Sequence, residues 1–299
     1  ARIFAYNLKS VRTNDGYDIS FDLNEKAESV DLILIDVASG AVVKTISLGA
    51  FDKVNNKVSL AFADIPDVEC TWELRATAGN VTRFVKLSDD SKNYHYFAPK
   101  GVSIDKSPES PYFGRVYVTN TAAGEASGRT TATGVYVMGP DALDITGQGD
   151  KAYAGDVQWT GVVGEGPRKV AVAADGRVFL CDASSSNAGV YLMNPETFTI
   201  SPVFKGATNE AGSLSVGGVY VGGQMTAIGV RGTGEATQLY TVDKTASGAS
   251  WKKFINVYNI GEADVWTTAP NYSKAASSYI GNDNSSIVPV STGYWAGQY

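Results

Sequence analysis

Apolar and polar residues alternate with a period of two along much of this chain. Ile19, Phe21 and Leu23 are separated by polar neighbours. Val58, Leu60 and Phe62 repeat the pattern, and Cys70, Trp72, Leu74 and Ala76 repeat it again. Successive side chains of a strand point to opposite faces, so this period predicts half-buried β-strands. The apolar run from Val30 to Val37 is followed by Ala38-Ser39-Gly40 and then by Val42 to Ile46. That order predicts a hairpin with glycine at its turn. Val81, Arg83, Val85 and Leu87 predict a further strand. No long window carries apolar residues at helical spacing, so almost no helix is expected. Short strands with this spacing over residues 1–90 predict an immunoglobulin-like β-sandwich. The polar break Ser88-Asp89-Asp90-Ser91-Lys92-Asn93 marks the domain boundary.

Residues 91–299 show a different regularity. Gly114-Arg115-Val116-Tyr117-Val118-Thr119-Asn120 is echoed by Gly176-Arg177-Val178-Phe179-Leu180-Cys181-Asp182. A second echo follows each copy, as Gly134-Val135-Tyr136-Val137-Met138 and Gly189-Val190-Tyr191-Leu192-Met193. A repeated unit of strand, turn and strand predicts radially arranged sheets, hence a β-propeller. Asp175-Gly176 is a tight-turn signal, which the first copy replaces with the longer insertion 106–113. That insertion and the Gly/Ala/Ser/Thr-rich loop 121–133 are the expected mobile rims. Weaker copies run through Met225–Val230, Gln238–Val242 and Phe254–Ile260, and Ile287-Val288-Pro289-Val290 starts another. About 200 residues correspond to roughly four to five blades. The chain stops at Tyr299 inside strand-like sequence, so the expectation is part of a longer propeller. The whole is all-β.

Composition fits this picture. Of 299 residues 43% are hydrophobic and 19% charged, which suffices for one or two cores. The net charge of −6 comes without a Lys/Arg cluster in the sequence. Such a chain repels phosphate backbones, so no nucleic-acid partner is expected. No apolar run reaches the roughly 18 residues of a membrane span. Cys70 and Cys181 each lie in an alternating strand pattern and read as free thiols.

Candidate chemistry is sparse. His95 is the only histidine, which excludes a zinc site with two or more histidines and means that any Ser-His-Asp triad would have to use it, in the segment between the domains. Asn120 and Asp182 each end a strand at matching points of the repeat. Their side chains suit turn capping, and equally a ligand or calcium contact through hard oxygen donors. Asp105, Asp175 and Asp243 read as turn formers. Trp159, Trp251, Trp266, Tyr272 and Trp295 lie beside Gly, Ser, Asn or Thr. Aromatic faces in such settings stack on sugar C–H groups or peptide side chains, and they also fill the space between blades.

Pro111-Tyr112-Phe113-Gly114-Arg115-Val116-Tyr117-Val118-Thr119-Asn120, with Gly134 to Met138, resembles surface proteins of Bacteroidetes that pair a small sandwich with a propeller. Asn187 to Tyr191 and the terminal Gly293-Tyr294-Trp295 are similar to the same group. Ile19 to Leu23, Ser39-Gly40 and Val42 to Thr45 resemble the sandwich module of flagellar hook-capping proteins. The resemblance implies a secreted or lipid-anchored envelope protein at the outer-membrane surface. It would accompany a nutrient-uptake transporter and capture a glycan or peptide without catalysis. The blades also resemble NHL repeats and gluconolactonases. That second likeness implies an alternative, a calcium-dependent hydrolase or lactonase with Asn120 and Asp182 facing the channel. A structural component of an envelope assembly is the remaining expectation.

Overall fold

The computed structural model describes residues 3–79, 92–140, 157–205, 207–208, 213–247, 250–276 and 286–289. The chain divides into two compact units, Ala1–Asp89 with Pro111–Phe113, and Asp90–Ser110 with Gly114–Tyr299. Among the described residues every regular element is a strand or a short 3-10 turn, and no helix is long and apolar enough to cross a membrane. The expected strand through Val81 and Leu87 lies outside the described residues.

The first unit holds strands β1 (Ala5–Arg12), β2 (Gly16–Leu23), β3 (Ala27–Asp36), β4 (Val42–Phe51), β5 (Asn56–Ala61) and β6 (Cys70–Thr77). They form two antiparallel sheets, ordered β1-β2-β5 and β4-β3-β6. The alternating residues Ile19, Phe21 and Leu23 of one sheet meet Val30, Leu32 and Leu34 of the other in a shared core. This is the sandwich that the period of two predicts. The hairpin at Ala38-Ser39-Gly40 is closed by Asp36, whose Oδ1 accepts the Ser39 amide at 2.8 Å.

The second unit is a stack of blade-like sheets. The first contains β7 (Pro99–Ile104), β8 (Val116–Asn120) and β11 (Gly134–Met138) in the order β11-β8-β7. Between its last two strands lies a small hairpin, β9 (Gly124–Ala126) and β10 (Arg129–Thr131). The second sheet runs β12 (Lys169–Val172), β13 (Val178–Asp182), β14 (Gly189–Met193) and β15 (Ile200–Lys205) in sequence order. The third runs β16 (Ala207–Thr208), β17 (Ser213–Val216), β18 (Val219–Arg231), β19 (Gln238–Ser247), β20 (Ser250–Tyr258) and β21 (Tyr272–Ala276), also in sequence order.

The middle sheet is buried on both faces. Val178 and Leu180 of β13 join Tyr117, Val135 and Val137 of the first sheet. Phe179 and Cys181, pointing the other way, join Leu214, Met225, Leu239 and Tyr258 of the third. A strand with two buried faces cannot alternate apolar with polar, which is why Val178-Phe179-Leu180-Cys181 is a continuous apolar run. The repeat's glycine has a steric cause. Gly189 sits at φ 153°, and a Cβ there would collide with the Phe204 carbonyl of β15.

One sequence expectation is corrected here. The stretch 121–133 is a hairpin rather than an open rim. Thr121, Ala122, Arg129 and Thr131 are all buried, and the Arg129 guanidinium lies 5.0 Å from the Tyr96 ring centroid and 4.9 Å from that of Tyr136. Lys92–Tyr94 is a 3-10 turn. Residues 286–289 lie against β18, where the Ile287 carbonyl and the Pro289 ring crowd Gly229.

Candidate functional site: an axial cleft with a cationic mouth

Strand register identifies matching positions in the three sheets. Ile104 pairs with Val116, Val172 with Val178, and Val230 with Leu239. Four residues on from each second-strand residue stand Asn120, Asp182 and Asp243. The repeat seen as two copies therefore has a third. Asp243 is not a turn former, since it lies inside β19 and is fully buried.

Two of the three side chains, Asn120 and Asp243, share a task. Asn120 Oδ1 accepts the Ala98 amide at 2.8 Å, just before β7 begins. Its Nδ2 donates to the Ala122 and Ala132 carbonyls, both at 2.8 Å. Asp243 Oδ2 accepts the Gly223 amide at 3.0 Å and Asn256 Nδ2 at 2.5 Å, and Oδ1 pairs with Thr241 Oγ1 at 2.6 Å. Each thus ties its own strand to the neighbouring inner strand, Asn120 through the residue just before β7 and Asp243 through Gly223 within β18. Asp182 departs from this pattern. Its Oδ1 accepts the Ser184 amide at 2.6 Å, while Oδ2 is buried without a hydrogen-bond partner against Gly166, where any Cβ would collide with the carboxyl. Proline follows at 167 and brings no N–H to donate. Burial pushes both carboxyls upward, Asp243 to about 7.

Asn120 uses its amide on four protein partners and offers nothing to a ligand. Trp159 packs edge-on against Tyr191 with centroids 5.0 Å apart, and Trp266 packs edge-on against Tyr258 at 6.0 Å. Both rings fill space between or beside sheets. Tyr272 is 49% exposed on the edge strand β21. Trp251 lies in β20, but its side chain and all of Trp295 lie outside the described residues. Trp159 and Trp266 thus pack against different cores of the stack. Among the described residues no group of three His, Cys, Asp or Glu side chains is placed to hold a metal ion.

The open space lies along the inner strands. A cleft of about 690 Å³ runs between Val102, Ser103 and Ile104 of β7, Val170 to Val172 of β12, and Ile228 to Arg231 of β18. It continues as a space of about 420 Å³ past Pro99 to Val102, Lys169 and Ala227. At the end of the stack that carries Asp182 it meets a polar recess of about 400 Å³, bordered by Lys100, Glu165, Arg168, Gln224 and Thr226.

Three cations gather at this mouth. Gly101 pairs with Thr119, Lys169 with Cys181 and Ala227 with Val242, which makes Lys100, Arg168 and Thr226 equivalent entry positions of the three inner strands. Arg168 is buried, and its guanidinium donates to the Gly164 carbonyl and, at 3.3 Å, to that of Thr226. Lys169 Nζ donates to the Lys100 carbonyl at 2.5 Å. Burial, followed by the neighbouring charges of Arg168 and Lys100, holds the Lys169 ammonium below its usual range. The Lys100 side chain and the Arg168 guanidinium both border the open side of Gly164.

Sequence reasoning missed this cluster because no two of its residues except Arg168 and Lys169 are neighbours in the chain. The signal present was position: Lys100 and Arg168 both precede a Val-x-Ile or Val-x-Val inner strand by the same step.

Compared with known proteins, the chain matches no protein-family model, no curated protein and no solved structure.

Proposed function

We propose that this protein is a non-catalytic binding protein whose ligand, a glycan segment or a peptide, lies in the axial cleft of the stacked sheets. The observation that carries this reading is the cleft itself, continuous along three inner strands and ending in a recess of converging polar side chains. Concave sites of a few hundred Å³ with mixed walls and a few oriented polar groups are where ligands are held. The ordinary alternative for such space is side-chain filling. Against that stand Val102 at 66% and Ile104 at 42% exposed, both on the cleft wall. The outer-membrane setting and a transporter partner are part of the proposal and rest on the resemblance of residues 111–120 and 134–138.

The test is a glycan and peptide array probed with the protein and with Val102→Trp, which places an indole in the cleft from an exposed position. Saturable binding without turnover is expected, weakened at least about tenfold by the substitution. Empty arrays, or binding indifferent to the indole, would overturn the reading.

A further inference from the structure

We infer that the ligand of the cleft is a stretch of polypeptide, held in extended form through its backbone along the free edges of β7 and β12; this inference rests on the cleft being the binding site. β7 ends the sheet ordered β11-β8-β7, and β12 ends the sheet ordered β12-β13-β14-β15. Among the described residues each strand is therefore paired on one edge alone. Register shows which groups occupy the other edge. Asp105 donates its amide to the Arg115 carbonyl, and Ala173 donates its amide to the Arg177 carbonyl. In an antiparallel pair every second residue turns its N–H and C=O to the partner strand, and the residues between turn theirs away. Ser103 and Ala171 thus bond within their own sheets, opposite Tyr117 and Phe179. Val102, Ile104, Val170 and Val172 present N–H and C=O to the open side, and all four border the cleft.

The walls narrow the class of ligand further. Between the charged ends of the cleft the wall is mostly aliphatic, from Val102 and Ile104 through Val170 and Val172 to Ile228 and Val230. Among the described residues no aromatic ring, carboxylate or carboxamide side chain borders this space. A sugar is held by flat aromatic faces and by side-chain acceptors for its hydroxyls. A peptide is held by what is present, a row of backbone donors and acceptors at strand spacing with apolar surface for alternate side chains.

A segment of polypeptide already lies against this cleft. The Ile287 carbonyl and the Pro289 ring come within 2.8 and 2.9 Å of where a Cβ on Gly229 would stand. Ser286 to Pro289 border the same space as the β7 and β12 edges, and they bring β-branched and prolyl side chains without a charge. The cleft therefore accepts uncharged main chain on its β18 side and offers unpaired strand edges opposite. Exposed edges beside exposed valine and isoleucine are what strand addition covers. β7 is six residues long, which at about 3.3 Å per residue suits a ligand segment of about the same length.

The experiment titrates the whole protein, by calorimetry or NMR, with the blocked hexapeptide Ac-Ser-Val-Ser-Val-Ser-Val-NH2 and with cellohexaose. Two further peptides are N-methylated, one at every serine and the other at every valine. The parent peptide is expected to bind at least about tenfold more tightly than cellohexaose. Strand addition uses only alternate amides of the ligand. One methylated peptide is therefore expected to lose at least about tenfold in affinity, and the other to bind as the parent does. Val102→Pro removes a free-edge donor and spares the β7–β8 ladder, so it should weaken the parent peptide several-fold. The methylated pair reports on the unaltered protein, whatever that substitution does to folding. Equal effects of the two methylations, or tighter binding of cellohexaose, overturn the inference. Peptide binding that Val102→Trp abolishes but methylation leaves untouched keeps the cleft reading and removes backbone recognition. An array glycan blocked by Val102→Trp, with no hexapeptide binding, likewise keeps the cleft and overturns the peptide. Empty arrays together with no binding of the hexapeptide or cellohexaose overturn both.

Discussion

Single residues in this protein are defined by burial more than by type. Asp243 is the clearest case. Its carboxyl is fully buried, and desolvation outweighs the hydrogen bonds from Thr241, Gly223 and Asn256 that favour the charged form. An unfolded aspartate titrates near about 3.9, whereas the folded one is pushed up to about 7. Between those values the native state holds a proton that the unfolded chain has released. Stability therefore falls as pH rises through that window and is level on either side of it. The full span amounts to something on the order of 4 kcal/mol. Asparagine at 243 can keep the same bonds, with its oxygen on Gly223 and Asn256 and its amide donating to Thr241. Asp243→Asn is expected to flatten the pH dependence between about pH 4 and 7, measured by urea unfolding with a probe in the second unit. An identical slope in both proteins would show that Asp243 is not the titrating group. The cysteines separate in the same way. Burial pushes the Cys181 thiol up to about 12 at zero exposure, so only Cys70, which is half-buried, should react with a thiol reagent in the native state, with both reacting in denaturant.

At the scale of elements, the repeated Gly-Arg-Val has an energetic meaning. Arg115 Nη1 donates to the Pro195 carbonyl at 2.5 Å, and Arg177 Nη2 donates to the Gly261 carbonyl at 2.8 Å and to Thr237 Oγ1 at 2.7 Å. Pro195 follows β14 and Gly261 follows β20, each in the next sheet. Each arginine thus fastens one sheet to its successor, and Asp175 steadies Arg177 at 2.9 Å. The third sheet carries Gln238 at this position, which instead donates to Asn259 Oδ1 at 2.8 Å. Arg177→Leu is expected to lower stability by about 2 kcal/mol in urea unfolding, from loss of charge-assisted bonds at a mostly buried site. Arg177→Lys should recover less than half of that, because an ammonium cannot span both acceptors. A neutral Arg177→Leu would show that the latch contributes nothing.

These elements also show what could be read from the chain. Val178 to Asp182 and its neighbours were legible because tight turns and close strand approach demand glycine at 114, 134, 176 and 189. Asp243 was not legible as the third copy. Its strand begins Gln238-Leu239-Tyr240, with no Gly-Arg-Val ahead of it, and its neighbour across the sheet is Phe254 rather than a glycine. The aromatic candidates misled for a related reason. Trp159 and Trp266 stand among small polar residues in sequence, yet packing between sheets and against Tyr191 and Tyr258 claims them. The cationic mouth is created by the stacking of β7, β12 and β18, a relation between residues about 70 positions apart that periodicity does not encode.

At the scale of the molecule, the cores are separate. The sandwich core is built around Phe21, Leu23, Val30 and Leu32, and it shares no residue with the two cores of the second unit, built around Tyr117 and Leu180 and around Phe179 and Tyr258. Cooperativity follows shared burial, so each unit is expected to open with its own free energy. Leu32 has zero exposure at the centre of the sandwich. Truncating it to alanine removes buried methyl groups and leaves a cavity, for a loss of about 3 kcal/mol. In native-state hydrogen exchange, Leu32→Ala should reduce protection across residues 16–36 by roughly two powers of ten, the factor that such a loss implies. Protection across residues 178–193 should stay as it was, because none of those amides borders the new cavity. A parallel fall in both stretches would mean that the units unfold together, and the cleft's stability would then depend on a domain that contributes none of its walls.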